Sequence, residues 1–330
     1  MGEDIEQQKT ALPQLVIWMD EIILEISGNC NLDCIMCGYG RSKTKERKLM
    51  TREMFEHVIE HYCEGIRTLR LNACGESTVH PEFKEFLSYA RQALPDVDIK
   101  LFSNINYRDP SISKAMADAD VQLIMSIDSV DRGRIGTIRR GSDYDTIMRN
   151  FDYLSRNLNL KAVMFTLQTR NFDELMEVGR FSLEHDCHFF CNMVNGEPHL
   201  SELESLLMIE DNLTRLRSEF EELHRLAISK GLRVFLPDHV GTVHISANEP
   251  EGLLLKTTGQ GHCNRFRSEL CIHYDGTVTP CGMFNPYIYG NVMDYTRDSL
   301  LESERYRLFQ KNQAHDDYCK NCGCMLIQEL

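Results

Sequence analysis

Between Glu21 and about Val194, six short apolar runs alternate with segments of helical period, and few folds accommodate such a succession. The runs are Ile22 to Ile26, Leu69 to Ala73, Ile99 to Ser103, Leu123 to Ile127, Ala162 to Leu167 and His188 to Met193. Each is short, and most are apolar enough to be buried on both faces, as the strands of a parallel sheet are. In the gaps, Met54, Phe55, Val58, Ile59 and Tyr62 share one helical face, and Pro81 stands as a first-turn proline ahead of Phe83, Phe86, Leu87 and Ala90. Further helices are expected over Ser111 to Ala119, Tyr144 to Asn157 and Phe172 to His185. Six βα units joined by right-handed crossovers predict an α/β fold, a partial (β/α)6 TIM-like barrel over residues 21–198, with its chemistry at the C-terminal strand ends.

The 330 residues suffice for about two domains, and the pattern changes after the last run. Leu206, Ile209, Leu213, Leu216, Phe220, Leu223 and Ala227 recur at helical steps in an acidic segment that Gly231 ends. Residues 237–262 read as a loop, which makes 199–262 a linker helix and loop. The remainder, 263–330, is a small cysteine-rich domain with a hairpin expected at Asp275-Gly276, and residues 1–20 are an N-terminal extension.

Thirteen cysteines need a home. Met1 to Thr10 carry acids and glutamines where a secretory signal needs a basic and then an apolar stretch, and no apolar run approaches the roughly 18 residues of a membrane span. The expectation is therefore a cytoplasmic protein with no membrane partner, in which thiols stay reduced and serve metal or catalysis rather than disulfides. A net charge of -14 argues against nucleic acid as a partner and favours a small molecule or a peptide. Nine of the thirteen cysteines fall into two groups, Cys30/34/37 and Cys263/271/281/319/322/324.

In the first group three and then two residues separate Cys30, Cys34 and Cys37, on one loop directly after the first strand. Three such thiolates can grip three irons of a four-iron cluster and leave the fourth open to a substrate. Zinc is the competing occupant. It usually takes paired two-residue knuckles and four ligands, and no fourth ligand follows nearby.

This spacing after strand one of a partial barrel resembles the signature of the radical S-adenosylmethionine enzymes, and the resemblance runs from about Glu21 to the C-terminus. It implies that the open iron binds S-adenosylmethionine and that reductive cleavage yields a 5'-deoxyadenosyl radical, which takes hydrogen from an unactivated carbon. Met36 stands where the family often has an aromatic residue against the adenine. Ala73-Cys74-Gly75-Glu76-Ser77 is similar to the family's Gly-Gly-Glu-Pro segment, with Cys74 for the first glycine and Ser77 for proline. Glu76 would accept hydrogen bonds from the methionyl ammonium group, and Gly75 would allow close backbone approach. Ser103-Asn104 and Ser126-Ile127-Asp128 resemble two more strand-end segments, with Ser126 a candidate for the carboxylate or ribose. Asp128 and Arg139, the latter beside Arg140, are candidates to shape the site, and Gln168 and Asn171 are further ones.

The tail resembles the twitch or SPASM appendage of one branch of that family. It implies a second, auxiliary 4Fe-4S cluster on Cys263, Cys281, Cys319 and Cys322, with Cys271 and Cys324 as replacements for any one of them. Taken alone, the same cysteines could form a zinc ribbon. Cys63, Cys187 and Cys191 are expected in the core, although Cys187, Cys191 or Cys271 could donate a hydrogen atom to a substrate radical. The expected activity is oxidation or epimerisation of a sugar or aminocyclitol, with a flavodoxin- or ferredoxin-type reductant. Radical epimerisation or crosslinking of a ribosomally made peptide is the alternative, and a non-catalytic electron carrier or zinc-binding protein is the distant one.

Overall fold

The computed structural model describes residues 20–38, 48–194, 210–237, 239–240, 243–244, 255–257, 268–282, 287–316, 319 and 325–327. All six expected strands form and run parallel: β1 (Glu21–Leu24), β2 (Thr68–Arg70), β3 (Asp98–Ser103), β4 (Gln122–Ser126), β5 (Lys161–Leu167) and β6 (His188–Met193). Both sheet faces are covered, which is why the runs are so apolar. Ile22, Leu24, Leu69, Ile99 and Leu101 join the layer under the helices, whereas Phe102, Ile124, Ala162, Met164 and Phe190 pack together on the inner face.

Each helix is set by local chemistry. Thr51, Asp109 and Asp143 cap α1 (Arg52–Tyr62), α3 (Pro110–Asp118) and α4 (Tyr144–Asn157) through side-chain oxygens that accept a backbone N–H. In α3 Pro110 opens the helix, where its missing N–H costs nothing. Pro81 instead lies before α2 (Phe83–Ala93), whose cap is Glu82, so it steers the chain into the helix from outside the first turn. A 3-10 turn, Phe172–Glu174, precedes α5 (Leu175–Glu184), a tighter start than the single helix expected there. The acidic helix α6 (Glu210–Ser229) ends before Gly231, whose φ of +68° only glycine adopts readily. The expected start of that helix, at Leu206 and Ile209, lies outside the described residues. Among the described residues, no helix is long and apolar enough to cross a membrane.

The sheet does not stop at six strands. β7 (Val234–Phe235) adds parallel to β6 at one edge. At the other edge β8 (Glu269–Ile272), from the cysteine-rich tail, pairs parallel with β1, placing Cys271 beside Ile23. β9 (Thr277–Thr279) returns antiparallel through Gly276, at φ +81°, and β10 (Gly290–Asn291) completes a ten-stranded sheet. The tail thus continues the barrel wall, which β8, with four residues and no readable period, gave no means to foresee. Within 237–262, read as loop, His239–Val240 pairs with Val243–His244, and Leu255–Thr257 pairs with Met325–Ile327.

The tail also docks on α1. His57 Nε2 meets the Val292 carbonyl at 3.1 Å, the buried Tyr62 hydroxyl donates to the Tyr295 carbonyl, and Arg297 donates to the carbonyls of Tyr62 and Glu64 at 3.0 and 2.6 Å.

Candidate functional site

The Cys30/34/37 loop leaves the C-terminal end of β1 and is held on three sides. Gly28 N donates to Lys48 O at 2.7 Å, and Asn29 Oδ1 accepts from Lys48 N at 2.9 Å. Asp33–Cys34 forms a short antiparallel ribbon with Arg139–Arg140, continued by a 3.0 Å bond from Ile35 N to Ile138 O. Cys37 N returns to Cys34 O at 3.2 Å, which folds the second and third cysteines into one turn.

None of the three is in a disulfide. Donors face two of the sulfurs: Leu32 N lies 3.4 Å and Asn104 Nδ2 3.8 Å from Cys30 Sγ, and Arg139 Nη1 lies 4.0 Å from Cys34 Sγ. Burial, reinforced by Glu76, pushes the Cys30 thiol up to about 12. Burial also raises Cys34 to about 11 against the pull of Arg139. A bound cation favours the thiolate over the thiol, and N–H groups aimed at sulfur suit thiolates that ligate iron. The donor set fits an iron-sulfur cluster.

The end of β2 lies directly behind the loop. A Cβ on Gly75 would stand 2.0 Å from Ser27 O, so only glycine lets the two backbones meet, and Glu76 N then reaches Asn29 O at 2.8 Å. The buried Glu76 carboxylate gathers the strand ends. Its Oε1 accepts from Thr78 N at 3.2 Å, Thr78 Oγ1 at 2.7 Å and Ser103 Oγ at 2.9 Å, and its Oε2 accepts from Asn104 N at 2.8 Å. Most of its accepting capacity is spent inside the protein, and Oε2 keeps a lone pair for a further donor. Burial raises its pKa, and those four bonds oppose the rise. Ser77, in the family's proline position, is buried and donates to Leu71 O.

Asn104 carries the contact back to the loop, with Nδ2 2.9 Å from Asn31 Oδ1. Asn31 in turn donates to Asn106 O at 2.8 Å. Sequence reasoning passed over Asn31 and Asn106; the position of Asn31 inside the cysteine motif was the available signal. Asp128 is fully buried, accepts from Thr166 N at 2.6 Å and pairs with Arg139 Nε at 2.6 Å. Asp128, Arg139 and Cys34 are therefore contiguous. Ser126, half-buried at the end of β4, lies in register with Met164. Met36 packs on Ile35, Ile138 and Val194. Gln168 and Asn171 build the loop after β5 instead: Asn171 Nδ2 donates to Asp128 O and Thr166 O at 3.0 and 3.1 Å, and its Oδ1 accepts from Gln168 N.

Of the second cysteine group, Cys281 and Cys319 are half-buried and share a neighbour in Tyr289, whose hydroxyl burial holds well above its usual pKa with both thiols adding to the rise. Cys271 is fully buried in β8. Cys263, Cys322 and Cys324 lie outside the described residues. Cys63, Cys187 and Cys191 are buried, as expected of core thiols.

The Radical SAM superfamily model matches residues 24–182, and the model of the iron-sulfur cluster-binding SPASM domain matches residues 263–323. Among curated proteins, the GTP 3',8-cyclase of Chlorobaculum tepidum is 25% identical over 172 residues, a match spanning 51% of this chain and 51% of the cyclase. This chain thus matches about half the length of that relative. The AdoMet-dependent heme synthase of Methanosarcina barkeri is 23% identical over 345 residues, covering 95% of this chain and 88% of that one. Among solved structures, anSMEcpe with bound AdoMet superposes with a TM-score of 0.66 at 17% identity, covering 92% and 88% of the two chains, and has also been solved with a Cp18Cys peptide. BtrN in complex with AdoMet and 2-DOIA superposes with a TM-score of 0.53 at 13% identity, covering 94% and 95%. These two likenesses are of fold.

Proposed function

The chain belongs to the radical SAM superfamily, and from that premise we propose that it abstracts hydrogen from an unactivated carbon of a polar substrate, at a site formed by the loop of Cys30, Cys34 and Cys37. Family and SPASM domain together bring S-adenosylmethionine and 4Fe-4S clusters, the second of them auxiliary. When bound, this set supplies a 5'-deoxyadenosyl radical at the strand ends.

The observation that carries the reading is the three-sided clasp on the cysteine loop, with N–H groups turned to its sulfurs. In it Cys30, Cys34 and Cys37 hold three irons. Arg139, kept in place by Asp128, offsets thiolate charge beside Cys34. Glu76 would accept from the methionyl ammonium group, Ser103 and Asn104 hold that carboxylate in position, and Gly75 sets its distance from the loop. Ser126 would contribute a hydroxyl to the cofactor's polar groups, and Met36 would give the adenine an apolar contact. Cys263, Cys281, Cys319 and Cys322 hold the auxiliary cluster, in a unit over 263–330 that serves the catalytic unit over 21–198.

The substrate is a sugar- or aminocyclitol-type molecule, oxidised or epimerised, with electrons delivered by a flavodoxin- or ferredoxin-type protein. In support, Arg70 lies on the sheet face opposite the helices, 3.2 Å from Glu21 and 4.0 Å from Glu269, giving the barrel interior a polar wall. A peptide substrate is the second reading, favoured by the higher fold similarity to anSMEcpe, which is solved with a peptide. Anaerobic reconstitution tests the first part: about eight irons per chain and 5'-deoxyadenosine on reduction are expected, and colourless, zinc-loaded protein refutes it. Accelerated 5'-deoxyadenosine release with aminocyclitols, sugar alcohols or short peptides then selects the substrate class. Deuterium incorporation from solvent marks epimerisation.

A further inference from the structure

The first cysteine loop comes to the surface at Asn31. That residue is exposed, and its Oδ1 lies 4.0 Å from Cys30 Sγ. Two further stretches of chain close around it. Asn31 Nδ2 donates to Asn106 O at 2.8 Å, Asn106 Nδ2 donates to Gly141 O at 3.4 Å, and Asp143 N donates to Asn106 Oδ1 at 2.9 Å. A backbone partner fixes the sense of both amides, so residues 30–34, 104–109 and 139–149 make one continuous rim around Asn31.

Arg108, Arg140 and Arg149 stand on this rim, all three exposed. Arg140 is the ribbon partner of Asp33, and Arg149 Nη2 donates to Tyr107 O at 3.3 Å, one residue before Arg108. The acids of the same stretches are largely engaged. Asp109 and Asp145 are ion-paired with Lys84 and Arg132, and the carboxylate of Asp143 accepts from Thr146 N at 2.7 Å as the cap of α4. Asp33 is half-buried. In a chain of net charge -14 the rim is therefore a cationic island beside a cluster loop. An acidic protein is repelled by such a chain as a whole and is drawn to this face, because local charge steers the encounter.

Resting on the reading of Cys30, Cys34 and Cys37 as ligands of the first cluster, we propose that the rim of Arg108, Arg140 and Arg149 around Asn31 is the docking face of an acidic, flavodoxin-type electron donor. The donor's flavin gives up one electron, the cluster behind Cys30 takes it, and no atom changes hands. Three arginines around one asparagine suit a transient contact, since electron-transfer encounters bury less than about 1,200 Å².

The test uses the full chain, anaerobically reconstituted, with iron counted and 5'-deoxyadenosine formation driven either by photoreduced flavodoxin or by reduced methyl viologen, a small cationic donor. The double variant Arg108→Glu/Arg140→Glu is expected to raise KM for flavodoxin about tenfold and to flatten the salt dependence of that reaction. With methyl viologen its rate should equal or exceed that of wild type, because the lost charge repelled this donor. Lys230→Glu, at an exposed residue just past α6, should leave both reactions within about twofold, which separates the rim from net charge. An unchanged KM for flavodoxin in the double variant, with full iron content, overturns the inference and leaves the reading of the cysteine loop intact. Equal loss with both donors does the same, since it assigns the rim to the cluster or the substrate. Wild-type protein that forms no 5'-deoxyadenosine with methyl viologen overturns that reading as well.

Discussion

Gly75→Ala is the most severe small substitution the site offers. The added Cβ would stand 2.0 Å from Ser27 O, 2.8 Å from Asn29 O and 2.9 Å from the Gly28 carbonyl carbon, all of them backbone atoms at the root of the cysteine loop. Neither side can swing away as a side chain would, so the strand end and the loop must part by about 1 Å to reach the tightest packing a protein interior tolerates. Overpacking of this kind costs about 1–3 kcal/mol, and losing the 2.8 Å bond from Glu76 N to Asn29 O adds about 1 kcal/mol. The catalytic loss should exceed the stability loss, because Glu76 moves with Gly75, and displacing a positioning group by about 1 Å lowers a rate by about 100-fold. The assay is 5'-deoxyadenosine formation by reconstituted, reduced protein, alongside urea unfolding of the same preparation. Cleavage within threefold of wild type, with unchanged unfolding, would refute the close-approach reasoning.

Other outcomes follow from buried charge and buried thiols. Arg139→Met leaves the carboxylate of Asp128, which has no exposed surface, without its partner; it should cost about 3–5 kcal/mol in urea unfolding, and adding Asp128→Leu should recover much of that. Burial pushes Cys63 and Cys187 up to about 12 and raises Cys191 as well, so iodoacetamide at pH 8 should spare all three in native protein, as read by peptide mass spectrometry. Cys281→Ala should retain S-adenosylmethionine cleavage while losing product, whereas alanine at Cys30, Cys34 and Cys37 should abolish cleavage; equal effects in the two variants would contradict separate roles. Thr51→Ala removes the cap on α1 and should cost about 1 kcal/mol with cleavage unaffected.

What was legible in the sequence was whatever is written locally. β6 and α4 are found at the residues expected, because a largely buried strand and an amphipathic helix with an aspartate cap each carry their signal within one short window. The order of the strand-end segments was legible too, since right-handed βα units leave little choice of topology. Long-range pairings were not. The ribbon that sets Arg139 beside Cys34 joins residues 105 positions apart, and nothing near either announces the other. Glu76 was read as an acceptor for a ligand's ammonium group; two of its four internal bonds depend on Ser103 and Asn104 arriving from another strand end. Gln168 and Asn171 were plausible polar strand-end residues, and both prove to be holding their own loop.

Because β8 lies against β1, the first of the described strands must wait for one far later in the chain before its free flank is closed. Until then a ladder of unmet amide and carbonyl groups borders the loop that is to receive iron. A shortened chain lacking β8 should therefore yield an adhesive barrel instead of a simpler enzyme, and cluster insertion should follow, not precede, the docking of that strand.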